Sequence, residues 1–346
     1  MKTLTKMLSV AVVLAWAVSS PAQAQPVKYA QAGMTFLQLN VGARTAAMGG
    51  TYVGNVGNVT AMFANPAGLA TMEGFNVSAN QTNWIADIKQ YGVGAAYHLG
   101  NLGTVGVNIV SMDYGDFKET VPALDSDPAA DQNRGYISMG TFRVNEYAVG
   151  LSYARQISTQ FSVGGNLKYA RQDLPNTEIF DELRGEPTTA ENSIANWVID
   201  FGTLYYPGFR DLRFGMSLRN FSKQNDFYNQ RFELPLTFDF GVAMDLLQLM
   251  PSAAGGDRTS QLTLAADWLH PRDFGERLNV GLEYAFNDLL FLRGGYKFNY
   301  DSEGLTAGLG VNVNAGGLGL KADYAYGAAG EFFGAVHRLS LGVALH

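Results

Sequence analysis

Leu305-Thr306-Ala307-Gly308-Leu309-Gly310-Val311-Asn312-Val313 alternates residue by residue. Leu305, Ala307, Leu309, Val311 and Val313 fall on one side of an extended chain; Thr306, Gly308, Gly310 and Asn312 fall on the other. Successive side chains of a strand point to opposite faces, so this stretch reads as a strand with one apolar face. The pattern recurs at Leu318/Leu320/Ala322/Tyr324/Tyr326, at Leu278/Val280/Leu282/Tyr284/Phe286 and at Leu236/Phe238/Phe240/Val242/Met244. The second face is built from Gly, Asn, Thr and charged residues. That is too polar for the core of a soluble sandwich, and it suits a barrel with lipid outside and a polar lumen.

Working outward from that stretch, the chain from Gly74 to its end reads as roughly fourteen such segments, the even number expected of bacterial outer-membrane barrels. The spans are 75–84, 90–99, 103–113, 145–156, 161–172, 194–206, 211–221, 234–247, 259–269, 276–286, 289–298, 304–313, 317–326 and 335–346. Connections after the third, fifth and seventh segments are long (114–144, 173–193 and 222–233). Those after the second, fourth and sixth are short: Gly100-Asn101-Leu102, Ile157 to Gln160, and Pro207 to Arg210. Only Gln248 to Arg258 is long on the short side. Short periplasmic turns and long outer loops are the rule in such barrels, which puts both barrel ends in the periplasm. The expected fold is therefore all-β: an antiparallel transmembrane β-barrel over residues 74–346.

Composition agrees. The 346 residues include 24 Lys+Arg against 31 Asp+Glu, a net charge of −7. An acidic balance argues against nucleic acid as a partner, because phosphate neutralisation needs a basic surface. Charged residues make up 16%, below the ~25% of soluble domains, yet mean hydropathy is only −0.03. A bundle of membrane helices would score far higher. With no cysteine there is no disulfide framework, thiolate metal site or Cys nucleophile.

Residues 1–24 read as a secretory signal: Lys2 and Lys6, an apolar stretch from Met7 to Val18, then Ala22-Gln23-Ala24 as a small-x-small cleavage site near Ala24. No later run is apolar enough for a transmembrane helix. Aromatics near strand ends, among them Tyr205, Tyr206, Phe209, Tyr296, Phe298 and Tyr300, suit interfacial girdles and equally suit plain strand preference. Outer-membrane barrels commonly finish on an aromatic residue; this chain ends on His346.

Residues 25–73 do not alternate. They hold Gly42-Ala43-Arg44-Thr45-Ala46-Ala47-Met48-Gly49-Gly50 and Asn65-Pro66-Ala67-Gly68-Leu69-Ala70. Small residues, glycine pairs and an Asn-Pro-Ala-Gly turn suit a compact element with tight backbone contacts. Placed ahead of a barrel, it is expected to fold into the lumen as a plug.

The run GARTAAMGGTYVGNVGNVTAMFANPAGLA resembles the N-terminal signature of PorV/PorQ-type outer-membrane proteins, within the wider FadL-like barrels. The resemblance is sharp over residues 33–73. Where the family pattern carries an acidic pair, this chain has Gly54-Asn55-Val56-Gly57-Asn58-Val59. The resemblance implies a monomeric fourteen-stranded plugged barrel in the outer membrane of a Gram-negative-type bacterium. For the PorV type it implies service in type IX secretion, with partners among secreted cargo, through its C-terminal domain, and the secretion components. For FadL-like founders it implies passage of hydrophobic molecules, and so a hydrophobic ligand as the alternative.

Nothing in the spacing demands an enzyme. His98, His270, His337 and His346 lack metal-ligand spacing, and there is no nucleophile elbow or Walker loop. Neither a metal nor a cofactor is expected. The charges expected on the lumen face are Lys168, Asp200, Arg213, Arg219, Asp239, Asp267, Glu283, Arg293, Lys297, Lys321 and Asp323. They read as a salt-bridged wet interior or as a latch holding the plug. The latch set is Arg44, Asn65, Pro66 and Gly68 on the plug, with Asp239, Asp267, Glu283 and Arg293 on the wall. Exposed pairs contribute about 0–1 kcal/mol each, so a latch needs several. The long loops are acidic, and Asp125-x-Asp127-x-x-x-Asp131 lacks the ligand spacing of an EF-hand. Phe227, Tyr228 and Phe232 in the third loop are either partner-binding aromatics or packing over the barrel mouth.

Overall fold

The computed structural model describes residues 32–345 except 55, 123–134, 176, 182–185, 191, 228–229 and 250–258. The expected leader with its cleavage site near Ala24, and His346, lie outside the described residues.

Alternating sequence becomes alternating burial. The strands are β1 (Phe75–Asn83), β2 (Lys89–His98), β3 (Thr104–Asp113), β4 (Phe117–Pro122) and β5 (Tyr136–Phe142). They continue with β6 (Asn145–Ser158), β7 (Phe161–Asp173), β8 (Thr177–Asp181), β9 (Glu186–Ala190) and β10 (Ser193–Tyr205). Next come β11 (Arg213–Ser222), β12 (Asn225–Phe227), β13 (Gln230–Phe232), β14 (Thr237–Asp245) and β15 (Ser260–Pro271). The last are β16 (Arg277–Phe286), β17 (Leu290–Phe298), β18 (Leu305–Ala315), β19 (Leu318–Ala328) and β20 (Ala335–Leu345). Fourteen of them form one closed antiparallel barrel, in the order β1-β2-β3-β6-β7-β10-β11-β14-β15-β16-β17-β18-β19-β20. Closure is made by β1 against β20, from Phe75↔Leu345 to Asn83↔His337. A closed barrel leaves no strand edge unpaired, which is what lets strands cross a bilayer.

Every expected strand is present, with ends that differ by a few residues. The largest shift at a strand start is in β14, expected from 234 and beginning at Thr237. Pro235 has no N–H to donate to a ladder, and Leu236 N instead donates to Leu234 O at 2.8 Å. The remaining six strands pair as three hairpins, β4-β5, β8-β9 and β12-β13. These rise from the three long loops, which the alternation pattern left as irregular chain.

Outward residues form the lipid-facing band. Leu151, Trp197, Leu292, Leu305 and Leu309 are all more than half exposed, as apolar side chains on a lipid face must be. Of the expected girdle aromatics, Tyr205, Phe209, Tyr296 and Phe298 do face outward. Tyr206 and Tyr300 do not: Tyr206 packs against a buried cluster that contains Val53 and Leu204, and Tyr300 lines an interior cavity. Both sit in connections just past a strand, where the pleat no longer dictates the direction of a side chain.

Inside the barrel, residues 32–73 pack against opposite walls. A short helix, Ala43–Ala47, lies on β17 to β20. A 3-10 turn at Val59–Phe63 lies on β1 to β3, and another at Pro66–Thr71 lies on β6, β7 and β10. Ala43, Ala47, Ala61, Met62, Ala67 and Leu69 are fully buried.

Candidate functional site: the plug–wall interface

Local sequence shapes each contact. Asn58 and Asn65 cap the two 3-10 turns, accepting from Thr60 N and Ala67 N. Pro66 at the first helical position loses no hydrogen bond there. Asn65 then turns its amide nitrogen to the wall, donating to Thr203 O at 3.1 Å and Met216 O at 3.3 Å. Gly68 N donates to Asn65 O at 3.0 Å and Gly68 O accepts from Gly57 N at 2.9 Å, which closes the turn on itself.

The wall makes room by omitting side chains. A Cβ at Gly164 would stand 2.5 Å from Ala67 N, and one at Gly295 would collide with Gly49 N. Backbone therefore meets backbone, a use of glycine that accounts for part of the 40 in the chain. Thr306 clamps the same place, its hydroxyl accepting from Gly49 N and donating to Ala47 O, both at 2.9 Å. The free N–H of Ala43 at the helix start goes to Ser340 Oγ at 2.7 Å.

The expected lumen charges assemble into a layer. Arg44 donates to both oxygens of Glu283, at 2.7 and 2.9 Å. Arg293, on the neighbouring strand, bridges Glu283 at 2.5 Å and Asp323 at 2.7 Å. Asp267 accepts from the backbone N–H groups of Tyr52 and Val53. Among the described residues Asp239 has no hydrogen bond to the plug; it holds Arg219 at 3.0 Å, and Arg219 lies over the Tyr52 ring at 4.3 Å. Lys168 pairs with Asp200 at 2.8 Å. Arg213 Nε reaches Val53 O at 3.1 Å. Glu283, Arg293, Asp239 and Asp267 are all within 5% of full burial, so these contacts are far less screened than surface pairs. No pattern in the sequence marks Asn220. It bulges β11 at φ 62°, receives Lys168 Nζ, and donates to Leu37 O and Pro235 O.

The third-loop aromatics divide. Phe232 packs over Gly33 and against a cluster containing Met34, Phe36 and Leu234. Gly33 N also donates to Glu233 O at 3.0 Å, so the base of this hairpin is tied to the start of the plug. Phe227 is placed only by its backbone pairing with Gln230. Tyr228 and the Asp125/Asp127/Asp131 set lie outside the described residues.

Two cavities flank the plug. One of about 300 Å³ at the loop end is lined by Tyr52, Asn279 and Lys297 among others. The other, about 230 Å³, lies toward the short turns and is lined by Arg44, Asn58, Lys321 and Asp323. No residue lines both. Along β17, Lys297 belongs to the first and Arg293 to the charge layer, with Gly295 under Gly49 between them. The helix and the glycine pair thus lie between the two cavities.

The molecule is a plugged, fourteen-stranded barrel of the outer membrane. Residues 135–343 match the family described as type IX secretion system membrane protein PorP/SprF, and the chain belongs to that family. Its fold resembles that of the Pseudomonas putida toluene transporter TodX, with TM-score 0.53, 10% identity, and coverage of 86% of this chain and 96% of that one. It also resembles the CymD monoaromatic hydrocarbon channel, at TM-score 0.52, 12% identity, 91% and 99%. A Pseudomonas aeruginosa FadL homologue follows at TM-score 0.50, 10% identity, 87% and 96%. At these identities the likeness is one of fold. Among curated protein sequences there is no significant match. The resemblance at residues 33–73 was to the PorV/PorQ type; the family match falls on the barrel and is to PorP/SprF.

Proposed function

We propose that this barrel works as a monomeric carrier or accessory in type IX secretion, in the manner of the PorV/PorQ type. Its outer hairpins bind the C-terminal domain of secreted cargo, and no chemical step is involved. The observation that supports this reading is the plug packed between two cavities that have no lining residue in common. A plug held by a buried charge layer and by backbone-on-backbone contacts leaves the loop end as the working surface. Phe227 and Tyr228, from the third long loop of the sequence, are the aromatics assigned to cargo; Phe232 is assigned to holding the plug.

The alternative is passage of hydrophobic small molecules. The names of the fold neighbours, a toluene transporter and a monoaromatic hydrocarbon channel, and the cavities on either side of the plug favour it.

Affinity capture of the tagged protein from gently solubilised native outer membranes separates the two. Co-recovery of secreted proteins sharing a C-terminal domain, or of a giant translocon barrel, is the expected result. A barrel that brings only lipid or another small hydrophobic molecule would move the assignment to transport.

A further inference from the structure

The outer cavity contains cations that the fold does not use. Four line it: Arg219, Arg277, Lys297 and Arg338. Arg219 is held by Asp239 and Lys297 by Glu303 at 2.6 Å. Arg277 and Arg338 have no ion pair among the described residues, and the Nε of each is buried without a hydrogen-bond partner. Arg338 is only 5% exposed. A buried guanidinium without an acceptor is costly, and native structures rarely leave one so without a use.

Their surroundings narrow the ligand. The Arg277 guanidinium lies over the rings of Phe274 and Tyr300, at 4.1 and 4.2 Å from their centroids. Stacking engages the faces of a guanidinium and leaves its in-plane N–H edge free for an acceptor. Arg338 is seated against Trp84 at 5.6 Å. Glu303, in the loop above, would be raised by burial, but Lys297 and then Arg338 and Arg277 outweigh that and hold it below the usual carboxylate range. Positive charge is in surplus here. Asn279, 1% exposed, also lines the cavity, with its side chain hydrogen-bonded to Tyr300. At the rim, Phe333 lines the cavity and is half exposed, and its neighbour Phe332 is 95% exposed.

We propose that this cavity is a socket for a carboxylate-bearing peptide. The carboxylate sits on Arg277 and Arg338, and apolar side chains cover Phe333. A hydrocarbon leaves both guanidinium groups unpaired. A fatty acid is the competing carboxylate, and the test separates it. That the carboxylate is carried by a peptide of a secreted protein rests on the proposed function; the arginine pair does not.

The test uses the full-length protein in detergent and fluorescence anisotropy of a labelled, amidated peptide, Gly-Phe-Asp-Phe-Gly. Controls are the Asn version amidated, the Asn version with a free C-terminal carboxylate, and decanoate as competitor. Saturable, salt-sensitive binding of the Asp peptide is expected, weakened about tenfold or more by Arg338→Gln and by Arg277→Gln. The amidated Asn peptide should bind as poorly. The free-carboxylate version reports whether a chain terminus or an acidic side chain is preferred. Should Arg338→Gln fail to assemble, the half-buried Arg277 carries the test. Equal binding of the Asp and amidated Asn peptides, insensitivity to both arginine variants, or decanoate outcompeting the peptide would overturn the socket. Secretion lost on removal of the outer hairpins, with no peptide binding here, would overturn the socket and leave the proposed function standing.

Discussion

Arg44 of the plug and Glu283 of β16 face each other through two hydrogen bonds at 2.7 and 2.9 Å, and Arg293 takes the other side of the same carboxylate. One wall residue thus joins the plug to the strands on which it rests. Removing one partner of a buried pair leaves an uncompensated charge at a cost of roughly 3–5 kcal/mol. Glu283→Gln should therefore loosen the plug while the barrel persists. Hydrogen exchange over residues 41–53 is expected to speed up, with exchange in β6 and β7 unchanged. Equal protection in both proteins would remove the charge layer from the account.

The glycine contacts make a second, independent anchor. Gly164→Ala puts a methyl 2.5 Å from Ala67 N and Pro66 C, where neither backbone can yield cheaply. Overpacking of this kind costs roughly 1–3 kcal/mol. Gly275, whose Cβ would meet nothing within 4 Å, is the control, and its Ala variant should fall within about 0.5 kcal/mol of the parent. Urea unfolding in lipid vesicles measures both. Similar losses in the two variants would mean that the close approach carries no weight.

Asn65 joins two jobs, capping its own turn and donating to Thr203 O and Met216 O. Asn65→Ala should cost more than the ~1 kcal/mol of a lost cap alone, because two wall contacts go with it. Asn58→Ala, which removes the cap on Thr60 N, sets the scale of a lost cap. Denaturant midpoints of the two variants decide the order.

Phe232 covers Gly33, and Glu233 O takes Gly33 N. Motion of the third hairpin and of the plug's start should therefore be coupled. Phe232→Ala is expected to raise exchange in residues 33–39 together with residues 230–234. A rise in the hairpin alone would uncouple them.

The barrel was legible because a lipid face and a polar lumen impose period two on every strand, and turn length then gives the side. Arg44, Glu283 and Arg293 were legible as a set because charge on a lumen face must find charge. Three features were not. The first long loop pairs β4 and β5, whose described residues are exposed along nearly their whole length, so no alternation announces that hairpin. Asn220 acts through a bulge, which depends on how β10 and β11 slip past one another between Ile199 and Phe201. Phe232 read equally as a partner-binding aromatic or as packing over the barrel mouth, because nothing local says that Gly33, some two hundred residues earlier, leaves space for its ring.

The central claim is that the loop end, and not a path through the lumen, does the work. The most direct measurement compares cells expressing the parent with cells expressing a chain that lacks the hairpins Phe117–Phe142 and Thr177–Ala190 and carries Phe227→Ala and Tyr228→Ala. The third hairpin is kept because Phe232 seats the plug. Secretion of type IX cargo and uptake of a hydrophobic tracer are read side by side, with heat-modifiable migration confirming that the barrel has assembled. The account predicts that secretion is lost and uptake is unchanged. Secretion intact with uptake lost would contradict it.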